Sequence, residues 1–239
     1  MQDSADLAVR KKPVVVTGFH EPQPLSLAWE EGEQSVWAAI DLDNRNWRMP
    51  GDWQKSIDSE LKYPTPSGMR LSYILALAPN DIALPYLRRP PAVSHVVPIQ
   101  PLCRLLARFG TEAIDFVLAI AQTRRSFVPA VMMPITGSDM TRWMANWLNG
   151  KTYHDSAQAW FDRHIDWATA DLIAAALATP GKDRRSAETA LRTLALIDGY
   201  RDLILTVAAN YGPEVATPIT ALLDGDQAGT RRIFSADSF

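Results

Sequence analysis

Apolar residues recur at helical spacing in one segment after another between residues 137 and 223. Within each segment they recur three or four residues apart, as at i, i+3, i+4, i+7 and i+8 in the first, which places them on one face of an α-helix. The connections are short, so we predict an all-α fold of stacked helices. The stripes comprise Met140, Trp143, Met144, Trp147 and Leu148; Trp160, Phe161, His164 and Ile165; Leu172, Ile173, Ala176 and Leu177; Ala187, Ala190, Leu191, Leu194 and Ala195; Leu203, Ile204, Val207, Ala208 and Tyr211; and Val215, Ile219, Leu222 and Leu223.

The N-terminal part of the chain is less regular and rich in tryptophan. Prolines punctuate residues 1 to about 24, which predicts a loosely structured lead-in. The next residues alternate like a strand up to Trp29, whereas Val36, Trp37 and Ile40 share one helical face, and we favour a short helix after Gly32. Further helices are predicted at residues 52–61, 69–78, 80–87, 98–109 and 112–122.

A short pattern occurs twice. Residues 109–113 (FGTEA) match residues 211–215 (YGPEV), and in both an apolar helix ends in an aromatic residue and a glycine before an acidic residue opens the next helix. Such repeated helix–glycine–helix units favour a HEAT-like stack of helix pairs, an α/α superhelix, over a closed bundle. We predict a lead-in with short helices at residues 1–66, packed on a helical-repeat domain at residues 67–239.

Polar residues in the helical stretch predict where individual helices begin. Thr152 and Asp155 have the spacing of a capping box. Asp166 and Asp183 are expected to cap the helices that follow them.

The composition excludes several classes of protein. The net charge of −3 provides no general attraction to nucleic acid or to an anionic membrane. Cys103 is the one cysteine, so neither a disulfide framework within the chain nor a cysteine-based zinc site can form, and its apolar helix face predicts burial. No apolar run reaches the roughly 18–20 residues of a membrane span, and the first residues lack a secretory signal pattern. We expect a cytoplasmic protein.

The most pointed local feature is a basic cluster at residues 180–185 (PGKDRR). It is not a phosphate-binding loop, because the earlier glycine is replaced by Ala176 and the magnesium-binding hydroxyl by Asp183. Cations at a helix N-terminus oppose the helix dipole and call for compensation. One interpretation is salt bridges to the neighbouring helix through Asp162 or Asp166. The alternative is docking of a phosphate or an acidic partner through Lys182, Arg184, Arg185 and Arg192.

No pattern typical of an active site is found. His154 and His164 lie ten residues apart without a cysteine partner, so a turn histidine and a core histidine bonded to backbone are expected rather than metal ligands. Tyr153, His154 and Asp155 are adjacent and therefore do not face one another as a catalytic dyad. The tryptophans of the apolar stripes are expected in the core, whereas Trp47 lies in a polar setting and is a candidate contact residue. We predict a non-enzymatic protein without metal or cofactor.

Three segments resemble a known family. Residues 156–164 (SAQAWFDRH), 177–191 (LATPGKDRRSAETAL) and 208–215 (AANYGPEV) are similar to the repeat-rich region of bacterial MolR-like proteins, described as molybdate metabolism regulators. The resemblance covers about residues 156–226 and carries no catalytic residues. It implies a helical-repeat region of a regulator with a protein partner, and a chain that is a fragment of a longer protein. The alternative hypothesis is a regulatory domain that binds nucleic acid directly, through Lys182, Arg184, Arg185 and Arg192.

Overall fold

The computed structural model describes residues 13–42, 51–93, 99–123 and 129–234 and confirms the all-α prediction. Its regular elements follow one another from residue 26 to residue 234. They are β1 (Ser26–Leu27), α1 (Glu33–Ala38), α2 (Trp53–Leu61), α3 (Gly68–Leu77), α4 (Asn80–Leu87), α5 (Ile99–Phe109), a 3₁₀ helix (Gly110–Ala113), α6 (Ile114–Thr123), α7 (Pro129–Met132), β2 (Ile135–Thr136), α8 (Ser138–Leu148), α9 (His154–Leu177), α10 (Lys182–Leu194), α11 (Tyr200–Asn210) and α12 (Pro213–Phe234).

The chain divides into two compact units, each discontinuous in sequence. The first unit contains Met1–Pro22, Thr141–His154 and Phe161–Phe239, and the second contains Gln23–Met140 and Asp155–Trp160. Residue 66 lies within the second unit. The division at residues 66 and 67, with its packing of lead-in on repeats, stays a prediction.

The core of the second unit forms around α5, which packs against α1 and α3. The helices begin where their sequences supply capping side chains: Asp52 Oδ1 accepts the Lys55 amide at the start of α2, and Ser67 Oγ accepts the Arg70 amide at the start of α3. The helices predicted at residues 52–61, 69–78 and 80–87 are confirmed to within a residue. The apolar faces of α2, α3 and α5 supply fully buried side chains, among them Ile57, Leu71, Leu75, Leu105 and Leu106.

The two short strands of the second unit fix the position of its N-terminal residues. β1 pairs antiparallel with β2, with Ser26 opposite Thr136. Gly137 follows β2 with φ of 119°, and a Cβ atom there would lie 2.7 Å from the Pro24 carbonyl oxygen. Glycine is required both for the backbone conformation and for this close approach. The short helix predicted after Gly32 is confirmed as α1.

In the first unit, α10, α11 and α12 pack against one another. The expected turn glycine between α11 and α12 is confirmed, since Gly212 has φ of 99°, and Gly110 after α5 has φ of 59°. Both residues end a helix in the left-handed conformation that glycine favours. HEAT-like stacking of the helix pairs stays a prediction.

The N-cap of the helix predicted to begin at Thr152 lies one residue later, whereas the helix start predicted at Asp166 is wrong. α9 runs unbroken for 24 residues, and Asp166 is an exposed residue in its interior. No glycine or proline occurs between His154 and Leu177, so nothing local ends the helix. The N-cap of α9 is Tyr153 without a side-chain hydrogen bond, so the proposed Thr152–Asp155 capping box does not form.

The predicted cap at Asp183 is also wrong, because the N-cap of α10 is Gly181. Asp183 lies in the first turn instead. A carboxylate there still favours the positive end of the helix dipole.

Candidate interaction site

The basic cluster at the start of α10 contains side chains in two different environments. Lys182 and Arg185 are exposed, whereas Arg184 is 9% exposed. Its Nη1 donates to the carbonyl oxygens of Val14 at 2.9 Å and Ala178 at 2.8 Å. Its Nε donates to Glu188 Oε1 at 2.7 Å. The guanidinium of Arg184 therefore holds parts of the first unit together.

Three other predictions concern the ion-pair partners of the basic cluster and the remaining contact residues, Arg192 and Trp47. The ion-pair partner of Arg184 is Glu188, one turn along the same helix, so the interpretation through Asp162 or Asp166 is wrong for this residue. Arg192 is half-buried and its Nε donates to the Leu222 carbonyl oxygen at 3.3 Å. Trp47 lies outside the described residues. Lys182 and Arg185 remain as exposed members of the predicted contact set.

Residues 14–20, called here the N-terminal strap, lie against the first unit without regular secondary structure. The Val14 carbonyl accepts from Arg184, and the Val16 amide donates to the Leu177 carbonyl oxygen at 3.0 Å. Leu177 is the last residue of α9, and its carbonyl is one of the four at a helix end that lack an intrahelical partner. The strap therefore caps the C-terminus of α9.

The far end of the strap is fixed by a hydrogen-bond network around His20. His20 Nε2 lies 2.7 Å from Asp171 Oδ1, and the two side chains are 13% and 4% exposed. The hydroxyl of Thr141 donates to the other Asp171 oxygen at 3.1 Å. The Tyr211 hydroxyl lies 3.3 Å from His20 Nδ1, and its ring packs edge-on against Phe19 with centroids 5.1 Å apart.

The protonation pattern of this network follows from its acceptors. An ionised Asp171 can only accept, so Nε2 of a neutral His20 must carry the ring proton. Nδ1 is then the acceptor, and the Tyr211 hydroxyl donates to it. Sequence reasoning missed this network, because His20 and Asp171 are 151 residues apart. No local pattern around either residue marks the pairing.

A carboxylate, an imidazole and a hydroxyl in series also occur in hydrolytic sites. The cleft beside Asp171 is shallow, with a cavity volume of about 10 Å³, which is roughly the space that one water molecule needs. Small-molecule sites usually have about 300–1,000 Å³. The polar rim of the cleft beside Asp171 includes Thr141, Arg142 and Asp183. The network is therefore better suited to holding the strap than to binding a small-molecule substrate.

Helix α11 carries three apolar side chains that are only partly covered by the rest of the first unit. Ile204 and Ala208 are its buried residues, while Leu203, Leu205 and Val207 are half-buried. Leu196, in the turn before α11, is 87% exposed. Leu196 is the most exposed of these apolar side chains.

One end of α11 is tied to α9 by a polar contact. The Tyr200 hydroxyl donates to Asp162 Oδ1 at 2.8 Å. Partial burial and this carboxylate raise the pKa of Tyr200 to about 12.

The histidines and the cysteine predicted to be structural lie as expected. His164 is 3% exposed, and His154 Nδ1 lies 2.6 Å from the Leu148 carbonyl oxygen. Cys103 is buried, and burial raises the pKa of its thiol to about 12. Trp147 and Trp160 of the apolar stripes are buried, and the Trp160 Nε1 donates to the Ile135 carbonyl oxygen at 3.0 Å.

The described residues contain neither a candidate metal site nor a candidate membrane-spanning helix. Within the four described ranges, no group of three or more His, Cys, Asp and Glu side chains is placed to hold a metal ion. Among the helices of this same part of the chain, none has the length and apolar character needed to cross a bilayer.

Comparison with known proteins gives no relative. No protein-family model, curated protein or solved structure matches this chain. Function must therefore be argued from the surfaces described above.

Proposed function

We propose that this chain is a non-catalytic interaction domain of a bacterial regulator, similar to the MolR-like proteins, and that it binds a protein partner. The observation that supports this proposal best is the apolar surface of α11. Leu203, Leu205 and Val207 are half-buried on that helix, and Leu196 beside it is 87% exposed. A partner that covers these side chains gains roughly 25 cal/mol for each Å² of apolar surface removed from water.

The partner that fits this surface is a protein with an apolar helix face. Leu203 and Val207 are one helical turn apart, and Leu196 lies before the same helix. A facing helix makes contacts at this spacing when it packs ridges into grooves. We place this interaction in the cytoplasm, where a reduced and buried Cys103 is the ordinary state of a free cysteine.

A photo-reactive amino acid at residue 196 tests the proposal in bacterial cells. The matched control is the same amino acid at residue 206, because Thr206 is exposed on the polar side of α11. We expect one discrete cross-linked protein from position 196 and none from position 206. Leu203→Asp should then lower the yield at position 196 about tenfold or more, since a hot-spot residue contributes about 2 kcal/mol. Equal yields from both positions, or no effect of Leu203→Asp, would contradict the proposal.

Direct binding of nucleic acid is the second candidate, and it is favoured by the exposure of Lys182 and Arg185 at the start of α10. Two exposed cations provide little positive charge for binding phosphates, and Arg184 adds none to this surface because it is buried. Titration of duplex DNA at low and moderate salt separates the two candidates, because binding through phosphates weakens steeply with salt. Salt-sensitive binding that is lost in the Lys182→Glu, Arg185→Glu double variant would favour the nucleic-acid candidate. Absence of binding at low salt would remove it.

A further inference from the structure

The N-terminal strap is attached at its start by contacts that need no particular side chain. Arg184 binds the carbonyl of Val14, and the Leu177 carbonyl accepts the amide of Val16. Any peptide segment with the same backbone path can make these two hydrogen bonds. Recognition of this kind, through main-chain groups, is common in peptide-binding domains.

Recognition of a particular sequence is concentrated at the end of the strap. Phe19 packs edge-on against the ring of Tyr211, and His20 lies between the carboxylate of Asp171 and the hydroxyl of Tyr211. Asp171 is 4% exposed, so its carboxylate selects a hydrogen-bond donor of suitable length. The site therefore recognises an aromatic residue that is followed by a histidine.

The strap contributes little apolar burial near its start. The side chains of Val14 and Val15 are 51% and 45% exposed. Their release to water therefore costs less than the release of a core side chain. A segment held mainly by a few hydrogen bonds can open locally without unfolding of the whole unit.

We propose that the surface beneath the strap is a peptide-docking site that the chain occupies with its own residues 14–20. The strap is an autoinhibitory contact, and the outside ligand is an extended segment of a partner protein that carries an aromatic residue followed by histidine. The inference rests on the proposed function for the existence of a partner, whereas opening of the strap is independent of it. This site uses none of the residues Leu196, Leu203, Leu205 and Val207 that are named for the apolar surface of α11.

The side chain of His20 holds the end of the strap on the docking site. Its ring makes two of the strap's hydrogen bonds, one of them to a carboxylate. Loss of both is expected to raise the open fraction of the strap ~10- to 100-fold. The strap is covalently attached, so its effective concentration at the site reaches the millimolar range. A partner peptide must therefore compete with it.

Amide hydrogen exchange of the full chain tests the opening. In the His20→Ala variant we expect the Val16 amide to exchange at least ~10-fold faster, while the amides of Ile173 and Leu191 in the buried helix faces keep their rates. His154→Ala is the matched control, because this histidine also bonds within the first unit, but to the Leu148 carbonyl oxygen and not to the strap. If the Val16 amide exchanges no faster in His20→Ala, or only together with Ile173 and Leu191, the strap is an integral part of the unit and the proposal fails.

Binding of a labelled peptide with the sequence of residues 13–22 (PVVVTGFHEP) tests the docking site. We expect the peptide to bind the full-length His20→Ala chain at least ~10-fold more tightly than the wild-type chain, whose strap competes. A peptide with alanine in place of its histidine should lose this binding, and so should the His20→Ala, Asp171→Asn double variant. Equal binding to both chains, or none up to about 1 mM peptide, overturns the docking site. The proposed function through α11 is judged separately by cross-linking at residue 196.

Discussion

Replacing Arg184 with methionine is expected to destabilise the first unit, although a basic cluster at a helix start suggests a surface role. Methionine keeps most of the length of the side chain and removes the guanidinium. The Val14 and Ala178 carbonyls then lose their donor, and Glu188 loses its ion-pair partner. The neighbouring Arg185→Met change removes the same group from an exposed position.

The magnitude follows from the contacts. Hydrogen bonds to a charged group contribute about 1.5–3 kcal/mol each, but Glu188 is 22% exposed and water compensates part of its loss. The Val14 carbonyl lies on the exposed strap and can also be hydrated. We therefore expect Arg184→Met to lower the free energy of unfolding by roughly 2–4 kcal/mol, and Arg185→Met to change it by less than about 0.5 kcal/mol.

Urea unfolding followed by circular dichroism and tryptophan fluorescence measures this difference. Arg184→Lys should lie between the wild type and Arg184→Met, because an ammonium keeps the charge but lacks the planar group whose Nη1 reaches two carbonyls while its Nε reaches Glu188. If Arg184→Met and Arg185→Met have the same unfolding midpoint and slope, the guanidinium does not hold the unit together and this reasoning is refuted.

Three further changes have definite expected results. Because the thiol pKa of Cys103 is about 12, an aromatic disulfide reagent at pH 8 should react slowly with the folded chain and rapidly in urea; equal rates would contradict burial. The folded pKa of Tyr200 is raised to about 12 from 10.0, so its contribution to stability is present below pH 10 and is lost as the pH rises towards 12; Tyr200→Phe should reduce this alkaline loss, measured by urea unfolding at several pH values. Gly137→Ala places a Cβ atom 2.7 Å from the Pro24 carbonyl oxygen, whereas Gly199→Ala meets no atom within 4 Å at a similarly positive φ; we expect Gly137→Ala to be the more destabilising by at least about 1 kcal/mol, and equal midpoints in thermal unfolding would contradict the clash.

Part of the fold was predictable because its signals are local. The bounds of α2, α3 and α4 follow from apolar periodicity, polar caps and prolines, all read within about ten residues. The same local information misplaced a helix start at Asp166, because capping residues also occur inside helices when no glycine or proline stops the chain. The candidate site was predicted only in part: of its basic residues, Lys182 and Arg185 are exposed as contact residues should be, whereas Arg184 is buried.

The amino-acid pattern alone was enough to predict the all-α class and the burial of Cys103, because periodicity and side-chain hydrophobicity act over a few turns of helix. Only the tertiary structure brought His20 to Asp171 across 151 residues and placed the carbonyl of Val14 on Arg184. Such contacts depend on where whole helices end in space. A carboxylate or a guanidinium has the same local sequence signature whether it faces water or a strap that returns from the other end of the chain.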